Sequence, residues 1–178
     1  WHPEKCIECG QCITACPHSC LESKVYSEEE LKDAPSCFKV KNVMTDKSGK
    51  KKYTIQISAE DCTGCTICAL TCPVNAIEMK RKDEVIEEDK KNLQFFKTLS
   101  KEVVKDPDNV KNLQFKDSLF KYSGACAGCG ETPYLSTLTR LFGDRMLAAN
   151  ATGCSSIYGG NLPTTPWSKN DEGRGPAW

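Results

Sequence analysis

The sequence has no run of about 18 apolar residues, so it offers no candidate membrane-spanning helix. Its start, WHPEKC, has neither the basic residues nor the apolar stretch of a signal peptide. It also lacks a charge bias: 24 Lys and Arg balance 24 Asp and Glu, so nothing in the net charge recruits nucleic acid or an acidic membrane. There is no initiator Met, and DEGRGPAW stops without a closing element, so we expect both ends to be cuts in a longer chain. What remains is a length of 178 residues, suited to one or two small domains, and 13 cysteines. That is dense for a reducing compartment, where clustered thiols point to metal rather than disulfides.

Spacing sharpens this. Cys6, Cys9, Cys12 and Cys16-Pro17 form one run, and Cys62, Cys65, Cys68 and Cys72-Pro73 repeat it. Each is C-x2-C-x2-C-x3-C-P, the arrangement of bacterial ferredoxins with two [4Fe-4S] clusters. One tight loop wraps three corners of a cubane, and the fourth thiolate arrives from elsewhere. In such proteins the last cysteine of each run crosses over. We therefore expect Cys6, Cys9, Cys12 and Cys72 at one cluster, and Cys62, Cys65, Cys68 and Cys16 at the other. Zinc also favours C-x2-C, but has no use for three such steps and a C-P twice over. Cys20 and Cys37 fall outside both runs and read as small buried thiols, though Cys20 could replace a ligand. His18 reads as a turn residue that could also hydrogen-bond near a cluster.

Between the runs, Phe38 and Val40, then Tyr53, Ile55 and Ile57, alternate with polar residues around the turn-like DKSGK, predicting an inserted β-hairpin. The lysines at 50–52 read as a solvated strand start. VNAIEMK should close a ferredoxin-like fold with a helical turn and a strand, and RKDEVIEEDK marks a charged boundary. Phe96, Leu99 and Val103, stopped by Pro107, predict a connecting helix over 90–105. The pentapeptide KNLQF occurs at 91–95 and again at 111–115, without evident meaning. After it, SLFKY reads as a strand, Thr132 as the cap of a helix beginning at Pro133, and RMLAANAT as a buried parallel strand. Leu135, Leu138, Leu141 and Phe142 should form that helix's buried face. The expected fold class is an α+β ferredoxin-like domain with an inserted hairpin, followed by part of an α/β domain. Its boundaries are 1–89 with the insert at 20–58, a linker at 90–116, and 117–178. In a parallel α/β unit, Cys126, Cys129 and Cys154 would meet at one sheet edge, beside a helix N-terminus suited to a diphosphate.

The stretches SGACAGCGETPY, LFGDRM and NATGCSSIYGGNLPTTPW, downstream of the duplicated cysteine module, resemble pyruvate:ferredoxin (flavodoxin) oxidoreductase. The resemblance covers nearly the whole chain and is weakest around 20–50. It implies a thiamine diphosphate and Mg2+ enzyme that oxidatively decarboxylates pyruvate, passes electrons through three [4Fe-4S] clusters to ferredoxin or flavodoxin, and makes acetyl-coenzyme A. It further implies that the α/β part is the start of a thiamine diphosphate-binding domain. Cys126, Cys129 and Cys154 match three ligands of a proximal cluster whose fourth ligand is absent here. Glu131 and Cys154 match thiamine diphosphate contacts, and no catalytic residue is assigned. A homodimeric full enzyme is implied, in the cytoplasm or, in an anaerobic eukaryote, a hydrogenosome-like organelle, with no nucleic-acid or membrane partner. The resemblance makes the chain an internal fragment, inactive on pyruvate by itself. Two readings stay open beside it: a two-cluster electron-transfer protein with a docking domain, and a related 2-oxoacid oxidoreductase, including one that feeds NADP.

Overall fold

The computed structural model describes residues 1–102, 109–160 and 163–178. Its centre is a three-stranded antiparallel sheet in the order β1-β3-β2, built from β1 (Leu21–Ser27), β2 (Lys41–Asn42) and β3 (Lys51–Ile57). Leu21 lies opposite Ile57 and Ser27 opposite Lys51, while Lys41 faces Tyr53 across the other edge of β3. Pairing on that edge begins at Lys41, not at Phe38, and β1 was not anticipated as a strand. Between β1 and β2, Ser27 and Glu30 form a capping box on a 3-10 turn, Glu28–Asp33.

Strand side chains alternate between faces, and here both faces are covered. On one, Leu21, Tyr53 and Ile55 pack with Cys12 and Ile13. On the other, Tyr26 packs with Phe38, Phe96 and Leu99. The cysteine loops therefore lie on one side of the sheet, each with a single helical turn, α1 (Gln11–Thr14) and α2 (Ile67–Leu70). The opposite side is covered by the helix α3 (Lys82–Thr98).

This helix starts earlier than its apolar spacing predicts. The charged segment expected to be a boundary supplies its first turns: Asp83 and Glu84 sit where the helix dipole favours negative charge. Leu99 is its extended C-cap, buried against the sheet, while Val103 and Pro107 lie outside the described residues. The strand expected in VNAIEMK does not form among the described residues; there the Ala76 carbonyl accepts from the His2 amide at 2.8 Å.

The C-terminal part corrects the expected parallel sheet. Among the described residues, SLFKY contributes only an isolated antiparallel bridge between Phe120 and Trp167, and Leu147 only a parallel one with Ala177. Leu147 is 85% exposed. An apolar run becomes a buried strand only where neighbours satisfy its backbone on both flanks, and here they do not. The helix α4 (Thr132–Phe142) forms, but Glu131 is its N-cap and Thr132 its first residue. Its orientation also reverses expectation: Thr132, Ser136, Thr139 and Arg140 are buried, while Leu138 and Phe142 are exposed. A hydroxyl network explains this. Ser136 Oγ lies 2.8 Å from Ser19 Oγ and donates to Ser118 Oγ at 2.9 Å, and Thr139 Oγ1 accepts from the Leu119 amide at 3.1 Å. Arg140 donates to the carbonyls of Leu113 and Lys116. A short last helix, α5 (Cys154–Gly160), begins at the final cysteine.

Candidate metal centre

The two cysteine runs fold as near copies. Left-handed backbone recurs at matched positions: Glu8 (φ 57°) with Gly64 (φ 69°), Gly10 (φ 74°) with Thr66 (φ 68°), and Ser19 (φ 52°) with Asn75 (φ 50°). This region is costly for residues with a Cβ, so four non-glycine residues holding it in register mark loops set by the tertiary structure. The curl aims amides at sulfur. Glu8 N donates to Cys6 Sγ at 3.5 Å, and Gly64 N to Cys62 Sγ at 3.4 Å. Cys20 N donates to Cys16 Sγ at 3.3 Å, and Ala76 N to Cys72 Sγ at 3.2 Å.

The packing also brings the two runs together, with α1 against α2. Burial pushes the Cys12 thiol up to about 12, and the charges of Cys6, Cys9, Cys68 and Cys72 add to the shift, so both Cys68 and Cys72 of the second run lie near the first. Burial raises Cys68 to about 11, and Cys16 heads the other contributors, with Cys62 and Cys65. Hydrogen bonding from Cys20 and from loop amides lowers Cys16 to about 6. Cys20 is itself buried, and its thiol is pushed upward by its bond to Cys16 and by burial. Among the described residues no three His, Cys, Asp or Glu side chains converge closely enough to share one metal ion. A single tetrahedral zinc draws its thiolates to about 2.3 Å from one point; a cubane holds them farther apart.

Cys37 stands away from this centre, donating to Asn92 Oδ1 at 3.3 Å. His18 is buried, with no partner at Nε2. Further along, Cys126 and Cys154 are exposed and Cys129 is half-buried. Burial opposes ionisation of Cys129, but the amides of Thr132 and Glu131 outweigh it and hold its thiol below the usual range. Burial raises the Tyr158 phenol, and the charges of Glu131, Cys129 and Cys154 raise it further, so these three groups surround that ring. Cys126 joins them through its carbonyl, which accepts from Cys129 N at 3.0 Å. This loop lies directly over the second run: at Gly128 (φ 75°) a Cβ would sit 3.8 Å from Cys65 Cβ and Ile67 Cδ1.

Sequence reasoning missed two groups that position these loops. One is Gln114, 2% exposed, which receives Tyr53 Oη on its Oε1 at 2.7 Å and donates Nε2 to the Glu8 carbonyl at 2.9 Å. The unexplained KNLQF repeat was its only signal. The other is the hydroxyl network, which ties Ser19, three residues after Cys16, to α4 and gives no periodic signature.

Comparison with known proteins agrees with this geometry. Residues 5–75 match the family model described as a 4Fe-4S double cluster binding domain. The whole chain is 49% identical to a putative pyruvate-flavodoxin oxidoreductase of Synechocystis and 48% identical to a pyruvate-flavodoxin oxidoreductase of Trichormus variabilis. It is 45% identical to the pyruvate:ferredoxin oxidoreductase of Moorella thermoacetica. The chain spans about 16% of the length of each of these relatives. Covered by them from end to end and carrying the double-cluster domain, the chain belongs to the pyruvate:ferredoxin (flavodoxin) oxidoreductase family.

Proposed function

We propose that Cys6, Cys9, Cys12 and Cys72 hold one [4Fe-4S] cluster, Cys62, Cys65, Cys68 and Cys16 hold a second, and that the chain is the electron-conducting segment of a larger pyruvate oxidoreductase. The observation that carries this is the pair of matched loops packed against each other, with cysteines of each run close enough to act on those of the other. Their donor set fits the group: four thiols per site, and amide N–H groups aimed at the sulfurs where cluster charge resides. When bound, such clusters accept and pass single electrons at low potential. The loops contribute ligands, hydrogen bonds and a partly buried setting beneath the sheet.

We infer that Cys126, Cys129 and Cys154 are ligands of a third cluster completed from elsewhere in the enzyme, and that Glu131 and Cys154 contact thiamine diphosphate and its Mg2+. The Tyr158 hydroxyl is buried beside Glu131, whose carboxylate acts on it, so the two polar groups lie together at this corner. Thiamine diphosphate supplies the carbanion chemistry of decarboxylation; Glu131 and the α4 N-terminus bind and orient. Residues 117–178 then belong to the thiamine diphosphate-binding domain, residues 1–89 to the ferredoxin-like domain, and 90–116 join them. The exposed Leu138 and Phe142 offer that domain further apolar surface to bury. Gly128 against Cys65 makes the Cys62 run the nearer station and the Cys6 run the outer one, toward ferredoxin or flavodoxin. Pyruvate and coenzyme A act in the full enzyme, a cytoplasmic homodimer; no helix among the described residues is long and apolar enough to cross a membrane.

Anaerobic iron and sulfide analysis with EPR of the reduced chain tests this reading. About eight irons per chain and two interacting [4Fe-4S] signals are expected. Tightly held zinc in place of iron would overturn it.

A further inference from the structure

The two cysteine loops share a backbone conformation but not their surroundings. Glu60 and Asp61 precede the second run, and Lys82 and Lys90 tie the start of α3 to that corner through the Glu60 carbonyl and carboxylate. Residues 82–89 carry five acids and one lysine. On the first run's side, residues 39–52 carry six lysines and one aspartate. That segment is fixed to the first loop: Lys41 Nζ donates to the Cys6 carbonyl and pairs with Glu8 at 3.5 Å, and the Met44 amide donates to Glu8 Oε1 at 3.0 Å. Gln114 Nε2 donates to both the Glu8 and the Lys111 carbonyl, which sets the turn Val110–Phe115 against the same loop. Three apolar side chains are exposed around this place, Ile7 at 40%, Met44 at 61% and Val110 at 81%. Lys5, Lys47 and Lys111 are exposed close to them in the chain and have no acidic partner among the described residues. Lys41, Lys51 and Lys52, by contrast, are held by Glu8, Glu102 and Glu28. The acids closest in sequence are also engaged: Glu4 by His2, and Asp46 by the Ser48 hydroxyl and the amides of Ser48 and Lys51. At the matched positions the second run has Asp61 for Lys5 and Thr63 for Ile7.

We propose that Ile7, Met44 and Val110, with Lys5, Lys47 and Lys111, form the docking surface for an acidic one-electron carrier protein served by the Cys6, Cys9, Cys12 and Cys72 cluster. This rests on the ligand sets proposed above and adds to them the surface and the charge of the partner. A protein interface pairs an apolar centre that sheds water with a polar rim that selects the partner. Lysines without acidic partners steer an acidic protein to the first run, while Glu60, Asp61 and the acidic start of α3 repel it from the second. The second run is also covered by the loop carrying Gly128. In the transfer one electron leaves the reduced cluster and enters the oxidised carrier, and no bond is made or broken.

Stopped-flow mixing tests the proposal. The anaerobically reconstituted chain, reduced and then freed of reductant, is mixed with an oxidised acidic flavodoxin, whose semiquinone absorbance reports the electron received. Lys47→Glu and Lys111→Glu should each slow the second-order transfer about three- to tenfold at low salt, and both should approach the parent at about 0.5 M salt. Met44→Ser should slow transfer while keeping the parent's salt dependence. Lys97→Glu, exposed on α3 on the far side of the sheet, should match the parent. Lys47→Gln and Lys111→Gln should give smaller drops, and they read the same quantity where a charge-reversed variant fails to load iron. Full iron content with the Lys47 and Lys111 variants no slower than Lys97→Glu overturns the docking surface alone and assigns its apolar residues to contacts within the larger enzyme. Absence of iron from the parent chain overturns the ligand sets and this proposal with them.

Discussion

One amide, that of Gln114, joins three parts of the chain. Its Oε1 accepts from Tyr53 Oη at 2.7 Å and Ser23 Oγ at 3.2 Å, so it rests on β3 and β1. Its Nε2 donates to the Glu8 carbonyl between the first two cysteines, and its side chain fills the space beside Gly10, where a Cβ would lie 2.9 Å from Gln114 Cβ. Gly10 is thus needed twice, for its left-handed backbone and for this close approach. Truncating Gln114 to Ala strands the buried Tyr53 hydroxyl, removes the side-chain donor from the Glu8 and Lys111 carbonyls and opens a cavity. We expect a loss of about 3 kcal/mol, read as a lower urea midpoint for bleaching of the cluster absorbance under anaerobic conditions. An unchanged midpoint would show that Gln114 does not hold the first loop. This residue also shows where sequence reading stops. KNLQF at 91–95 lies within α3 with Gln94 exposed, whereas at 111–115 it forms a 3-10 turn with Gln114 buried. Identical local propensities gave two structures, because partners more than fifty residues away decide between them.

At the scale of elements, polar side chains fix how the helices dock. Lys24 is 6% exposed, yet its ammonium has carbonyl partners: Nζ donates to Phe96 O at 2.7 Å and Leu99 O at 2.5 Å, capping the end of α3, and lies over the Phe96 ring. Helix C-termini leave carbonyls without intrahelical partners, and this lysine supplies donors from the neighbouring strand. Lys24→Met keeps the apolar stem and removes the donors, so we expect a loss of about 2 kcal/mol and faster amide exchange in the last turn of α3. Burial lowers the Lys24 pKa, so the unfolded chain binds the extra proton between that lowered value and about 10.4. This group's contribution is therefore fullest above that window and is lost as pH falls through the folded pKa. The methionine variant should lack that part of the slope. The ends of α3 and the burial of α4 were not legible for a related reason. Apolar spacing alone reads neither a lysine that caps another element's helix nor a serine and threonine face buried by hydroxyls contributed from residues 19 and 118.

For the molecule as a whole, the cysteine spacing was the most legible feature, because covalent metal chemistry restricts it more tightly than packing restricts an apolar face. Sequence alone also placed β3 and the existence of α4. It did not reveal β1, or that the sheet lies between the cysteine loops and α3, since both depend on pairing across about thirty residues, and β propensity depends strongly on context. The parallel sheet expected after residue 117 required neighbours that the described residues do not supply. The crossing of the two runs, expected from their spacing and proposed above, can be tested without a structure. If Cys72 completes the first run's cluster, Cys9→Ser with Cys72→Ser injures one site twice, and the chain should keep about four irons and one [4Fe-4S] EPR signal. Cys65→Ser with Cys72→Ser injures both sites and should leave neither cluster intact. Without crossing the results exchange: the Cys65 and Cys72 pair would then share a site and spare the other, while the Cys9 and Cys72 pair would lose both. Iron content of the two double variants therefore decides whether each run completes its partner's cluster or its own.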